Sequence, residues 1–147
     1  MNILILAVGK PKTAHLEPAI KEYEKRLSRW VKIVWQFVPA ASVHKESEHI
    51  MRVLTPDSWV ILLDERGESL PTTQMAEKVE SLQNSSVKSI TFVIGGAHGV
   101  TPTVRERANQ LWKLSDLIFP HELVRLVLIE QLYRVYDLNH NGNYHHA

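Results

Sequence analysis

Short runs of apolar, often β-branched residues alternate along this chain with longer stretches whose apolar positions recur every three or four residues. Runs of the first kind fall at Ile3 to Val8, Ile33 to Val38, Trp59 to Leu63, Ile90 to Ile94 and Leu117 to Phe119, and predict strands. Stretches of the second kind fall at Leu16 to Trp30, Val43 to Leu54, Thr72 to Leu82 and Thr103 to Trp112, and a last helix begins at about His121. Pro102 after Thr101, and Pro120, mark helix starts, where a first turn tolerates a missing N–H. Five-fold alternation of this kind predicts an α/β fold: a mostly parallel sheet flanked by helices, in one domain over residues 1–147. The polar tail from Asn139 to Ala147 is expected to be irregular.

The last helix carries a puzzle. In IFPHELVRLVLIEQLYRVYDL, set Arg125 at zero and advance about 100° per residue. Leu128, Ile129, Leu132 and Tyr136 then fall within roughly 60° of it, and Glu130, Arg134 and Asp137 lie opposite. A guanidinium keeps its charge, so Arg125 on the greasy side requires a partner. Two kinds fit: an anion or carbonyl of a ligand, or a carboxylate from Glu122, Glu130 or a second copy of the chain. Apolar side chains continue round the helix at Leu123, Val124, Val127, Val135 and Leu138. A helix buried on more than one side predicts an isologous homodimer.

With 44% hydrophobic and 22% charged residues in 147, the chain has enough material for one real core. A net charge of +1 excludes a globally basic nucleic-acid binder and leaves only local patches. The absence of cysteine excludes disulfides, thiolate catalysis and cysteine-ligated zinc. It fits a reducing compartment, and a cytoplasmic location is expected. The start, MNILILAVGK, is too short to span a bilayer and reads as a buried strand, so no membrane partner is expected.

In a parallel sheet, ligands sit beyond the carboxyl ends of the strands. Three such ends carry loop chemistry: LLDERG at 62–67, VIGGAHG at 93–99 and LSDLIFPH at 114–121. Familiar signatures nearly form and then break. VGKPKT lacks the upstream glycine of a phosphate loop, GGAHG lacks dinucleotide-binding spacing, and HELVR puts Arg125 where a zinc helix needs its second histidine. The eight histidines show ligand-like spacing only in the tail HNGNYHH, and no metal is expected. The glycines of VIGGAHG serve either a tight turn or the close approach of a ligand to backbone. LSDLIFPH is either a buried strand or an irregular apolar loop whose backbone groups need partners. Such groups can read the edge of an adenine without charged side chains.

AVGK at 7–10, EYEKRL at 22–27, VIGG at 93–96, FPHELVR at 119–125, VLIEQLYR at 127–134 and YH at 144–145 together resemble the RlmH family, ribosomal RNA large-subunit methyltransferases of the SPOUT class. The resemblance implies a C-terminal trefoil knot, S-adenosylmethionine as methyl donor and a homodimer. It implies methylation of the N3 atom of a pseudouridine in large-subunit rRNA, on the assembled ribosome. Cofactor contacts then fall on Leu63, Gly95, Leu114, Ser115, Asp116, Leu117, Ile118 and Phe119. Of these only Asp116 is charged, so backbone groups are expected to recognise the adenosine. Two departures stand out: PAASVHKESEHIMRVL is shorter than the family pattern, and His146 stands where the family usually has a basic residue.

N3 of pseudouridine is an imide N–H, so its proton must leave before or during attack. A cation near the flanking carbonyls would stabilise the imide anion, and a histidine near neutral pKa would accept the proton. Four residues are candidates: Arg125 for the electrostatic role, His121 beside the cofactor loop, and Tyr144 and His145 for base stacking and proton handling. The structural alternatives are an ion pair for Arg125, a helix cap for His121 and a disordered tail for the last two. The rival functions are a SPOUT enzyme acting on another RNA, such as a tRNA, and a ribosome-binding factor without catalysis.

Overall fold

A computed structural model describes residues 1–146. The elements in chain order are β1 (Asn2–Val8), α1 (Glu17–Leu27), β2 (Lys32–Val38), α2 (Val43–Val53), β3 (Ser58–Glu68), α3 (Thr72–Gln83), β4 (Ser89–Ile94), α4 (Pro102–Arg107), β5 (Gln110–Trp112) and α5 (His121–Asn139). The five strands form one sheet in the order β2-β1-β4-β3-β5, and every pairing is parallel. Side chains alternate between its faces, as the two-residue strand period requires. Ile3, Ile5, Ile61, Ile90 and Phe92 face α1, α3 and α5, whereas Leu6, Val8, Val60, Leu62 and Val93 pack with Ile50 of α2 and Val104 of α4. Burial on both faces is why these strands read as nearly continuous apolar runs.

The predicted fifth strand is misplaced. Leu117 to Phe119 has no strand structure, and the edge strand is β5, inside the stretch Thr103 to Trp112 that periodicity assigned to a helix. The helix stops at Arg107 because the next residues pair with the sheet. Asn109 N donates to the Val60 carbonyl at 2.8 Å, and the Asn109 side-chain oxygen accepts from Val60 N at 2.8 Å. Strand β3 also runs past Leu63 to Glu68 with a register shift against β5. A Cβ on Gly67 would lie 2.5 Å from the Leu111 carbonyl carbon, so the two backbones approach this closely only with glycine there.

Helix α5 lies across α1 and α3. Leu128, Ile129, Leu132 and Tyr136 are buried beside Arg125, on the face that the 100° rule selects. Gln83 Nε2 donates to the Tyr136 hydroxyl at 2.8 Å, and burial pushes that phenol's pKa up to about 12. Asp137, placed on the polar side by the same rule, is buried because the tail folds over it. Asn141 turns the chain at φ 58, Gly142 N donates to the Asp137 carbonyl at 2.8 Å, and Tyr144 N donates to Asp137 Oδ2 at 2.9 Å. The tail is irregular, as expected, yet it is docked; Ala147 lies outside the described residues. Among the described residues no helix is long and apolar enough to cross a membrane.

Candidate active site

The carboxyl ends of β3, β4 and β5 meet around a cavity of about 540 Å³. Its middle wall is the turn after β4. Gly99 N donates to the Gly96 carbonyl at 3.1 Å, and Gly99 takes φ +76, a conformation that favours glycine. The turn is braced from the α2 side, where Ser47 Oγ accepts from Thr101 N at 3.0 Å. Arg105 adds a second brace by donating to the Val100 carbonyl at 2.6 Å. Glu46, also on α2, is buried and accepts from Ala41 N at 2.8 Å. A Cβ on Gly96 would lie 2.6 Å from Glu46 Oε1, so this glycine makes room for the brace. At Gly95 an added Cβ would press on Val100 Cγ1 at 3.1 Å, part of the turn's own return path.

Leu63, Gly95, Leu114, Ser115, Leu117, Ile118 and Phe119 all line this cavity, so the three predicted loops converge. Asp116 does not line it. Its carboxylate is 87% exposed and paired with Lys113, whose hydrogen bond holds the carboxyl below the usual range. The expectation of a wall without other charged side chains is also corrected. Asp64, Glu65, Arg66, His98, Arg105 and Lys113 line the cavity. The signal for the first three was present in DERG directly after a strand, but β3 was read as ending at Leu63. The third wall, the irregular segment 114–119, spends the Leu117 amide on the Ser115 hydroxyl at 2.9 Å. Among the described residues, the amides of Leu114, Ser115, Asp116, Ile118 and Phe119 have no acceptor within the chain. Backbone donors of this kind want a ligand or water.

Arg125 is 2% exposed, and its partners are neither ligand anion nor carboxylate. One terminal nitrogen donates to the Lys10 carbonyl at 2.7 Å and to Thr13 Oγ1 at 3.2 Å, and the other donates to the Val8 carbonyl at 3.2 Å. The guanidinium also sits 5.0 Å from the centre of the Phe37 ring. Burial lowers its pKa, but arginine stays charged. The predicted ion pairs with Glu122 and Glu130 do not form: Arg125 ties α5 to the turn that follows β1. Gly9, at φ +119, permits the approach, since a Cβ there would stand 3.0 Å from Arg125 and 3.4 Å from His121 Nε2. His121, one turn earlier on α5, lines the large cavity.

Tyr144 and His145 are elsewhere. The Tyr144 hydroxyl donates to Glu130 at 3.1 Å and lies 3.2 Å from that of Tyr23, and its ring meets Tyr133 edge-on at 4.7 Å. Burial, with these hydrogen bonds, pushes its pKa above the ordinary phenol value. His145 Nδ1 lies 3.4 Å from Arg134. From His121 to Glu130 along α5 is about 14 Å at about 1.5 Å per residue. The fold therefore brings His121 to the cavity and Arg125 beside it, but keeps Tyr144 and His145 away from the cavity of their own chain. Among the described residues there is no group of three or more side chains able to hold a metal ion.

A sequence profile described as predicted SPOUT methyltransferase matches residues 1–145. A protein from Desulforamulus reducens named ribosomal RNA large subunit methyltransferase H is 39% identical over 158 aligned residues, covering 99% of each chain. One from Flavobacterium johnsoniae with the same name is 36% identical over 156 residues, again covering 99% of each. Among solved structures, the tRNA (m1G37) methyltransferase of Aquifex aeolicus superposes with a TM-score of 0.54 at 17% identity, over 92% of this chain and 70% of that one. That last likeness is one of fold alone.

Proposed function

The chain belongs to the SPOUT methyltransferase family, and from that premise we propose that it transfers the methyl group of S-adenosylmethionine to N3 of a pseudouridine in large-subunit ribosomal RNA, on the assembled ribosome. The observation that carries this reading is the cavity at the ends of β3, β4 and β5, with its wall of unbonded backbone amides. Adenine presents ring nitrogens that accept from such amides, and 540 Å³ suits a nucleoside-sized ligand. Leu63, Gly95 and residues 114–119 would hold the cofactor, with Asp116 contributing its backbone rather than its carboxylate. Once bound, the cofactor supplies a methyl group on a sulfonium that needs no further activation.

The chain's own part is to position and to manage a proton. His121, at the cavity wall, is the nearest histidine able to take the N3 proton as the N–C bond forms. Arg66, Arg105 and Lys113 in the wall supply positive potential for the imide anion. Arg125 becomes a positioning residue, fixing the turn after β1 against the start of α5. Because the wall at Gly96 is backed by buried Glu46, Gly96→Val should cost at least about tenfold in cofactor affinity. Calorimetry with S-adenosylmethionine checks this, and unchanged affinity would remove the cavity from the reading.

The proposal includes a homodimer and a C-terminal trefoil knot. Leu117 and Ile118 are 70% and 92% exposed, next to half-buried Leu123 and Val127 at the start of α5, an apolar patch suited to a second copy. The segment 113–120 carries the chain from edge strand β5 to α5, on the face opposite α4, which is the passage a knot would thread. An experimental trace with an unthreaded end would remove it. The reaction belongs where ribosomes are, in the cytoplasm. Ribosomes lacking the modification, incubated with the protein and S-adenosylmethionine, should acquire methylpseudouridine in 23S rRNA by nucleoside mass spectrometry. The active species should have twice the 16.9 kDa chain mass by light scattering. Methylation confined to tRNA, or none, overturns the substrate; an active 16.9 kDa species overturns the dimer.

A further inference from the structure

Beyond the Gly9 wall lies a second cavity, of about 240 Å³, which the reaction described above does not use. Arg125, Thr13, Glu17, Glu24, Trp35 and Phe37 supply its chemistry. Both terminal nitrogens of Arg125 are committed to Val8, Lys10 and Thr13, but its Nε is buried without any acceptor. A buried donor left in that state is costly, and a ligand acceptor would satisfy it. Across the cavity stand two carboxylates. Glu24 accepts from the Trp35 indole N–H, and burial raises its pKa, so its charge is under-compensated. Trp35 and Phe37, two residues apart on edge strand β2, stand with ring planes 3° apart and centres 6.0 Å apart. The cavity thus offers a flat aromatic wall, acceptors on one side and a donor on the other.

That combination selects among ligands. A cationic side chain would meet the carboxylates, but the face of Phe37 is already taken by the Arg125 guanidinium, whose charge repels a second cation. A planar heterocycle with both donors and acceptors matches every wall. Among nucleobases, guanine carries a ring N–H beside an exocyclic amino group, the pair that a carboxylate receives, and its opposite edge accepts. Uracil has one N–H between two carbonyls and matches poorly. Lys10 and Lys12 are exposed on the turn above, where a backbone phosphate would run.

Resting on the RNA reading of the large cavity, we propose that this second cavity receives an unpaired guanine of the same RNA, close in sequence to the methylated nucleotide. Only the contact line of His121, Gly9 and Arg125 separates the two cavities, so one splayed strand can reach both. The guanine would fix which nucleotide enters the large cavity, making Glu24 and Trp35 specificity residues.

The test begins with the protein alone. GMP titrated into the isotope-labelled protein should shift the Trp35 indole N–H and the Arg125 Nε–H, and UMP should not. Glu24→Gln should abolish the GMP response while the rest of the amide spectrum stays in place. With ribosomes, Glu24→Gln and Trp35→Leu should each raise KM at least tenfold, leaving kcat and affinity for S-adenosylmethionine within twofold. GMP shifts without any methyl transfer by the wild type would keep the guanine site and sink the enzyme reading. Equal responses to GMP and UMP, a response to N-acetyl-lysine methylamide instead, or variants with wild-type KM would each overturn the guanine site.

Discussion

Arg125→Ala should lower the melting temperature by about 10 °C and weaken cofactor affinity and turnover together. The substitution strips three acceptors, the carbonyls of Val8 and Lys10 and the hydroxyl of Thr13, of a charged donor, and it empties space beside Phe37. Hydrogen bonds to a charged group contribute about 1.5–3 kcal/mol each, and part of that returns as water reaches the exposed turn. A net loss of about 3–4 kcal/mol, at about 3 °C per kcal/mol for a chain of this size, gives the expected shift. Arg125→Lys should fall between, because one ammonium cannot span acceptors on both sides of Gly9. Differential scanning calorimetry and cofactor titration on the same preparations check the pair. A normal melting temperature with lost turnover would return Arg125 to a direct role on the substrate.

The turn after β1 therefore depends on a residue more than a hundred positions away, and this is where reading the sequence reached its limit. The face of α5 that carries Arg125 followed from a 100° wheel because helix periodicity is local. Its partners are 112 to 117 residues distant, and no pattern near FPHELVR records them. The error at β5 has the same origin. Val104 and Trp112 have helical spacing, but Asn109 pairs with Val60 and pulls the segment into the sheet. Strands β1, β2 and β4 were legible within about one residue, since burial on both faces writes an apolar run that turns interrupt. At the large cavity, the glycine turn and the loop 114–119 showed in composition. Its charged lining did not, because β3 continues past Leu63 and points Asp64 to Arg66 at the opening. The burial of Asp137 was hidden too: it depends on where the tail goes.

Deleting Tyr144 to Ala147 should leave the fold and the cofactor affinity in place and reduce turnover on ribosomes at least a hundredfold. The stability cost should be small, because the lost contacts are peripheral: the hydroxyl bonds to Glu130 and Tyr23, and the edge of the Tyr144 ring on Tyr133. The kinetic cost follows from the residue types, a stacking ring and an imidazole, held in a fixed place by Asp137 and Gly142. A Cβ on Gly142 would stand 2.0 Å from Asp137 Oδ1, so the turn leaves no other residue room to seat the tail. Yet the seat is about 14 Å along α5 from the chain's own His121, too far for either side chain to touch a base at that cavity. In a dimer built on the exposed patch of Leu117 and Ile118, the tail has another cavity within reach, that of the partner. Mixed dimers decide the matter. A tail-deleted chain paired with a Gly96→Val chain contains one open cavity and one intact tail, on different chains. Such dimers should recover about half of wild-type turnover if the tail serves the partner. No recovery, with each parent homodimer folded and inactive, would mean that tail and cavity must come from the same chain and that the docked position is not the working one.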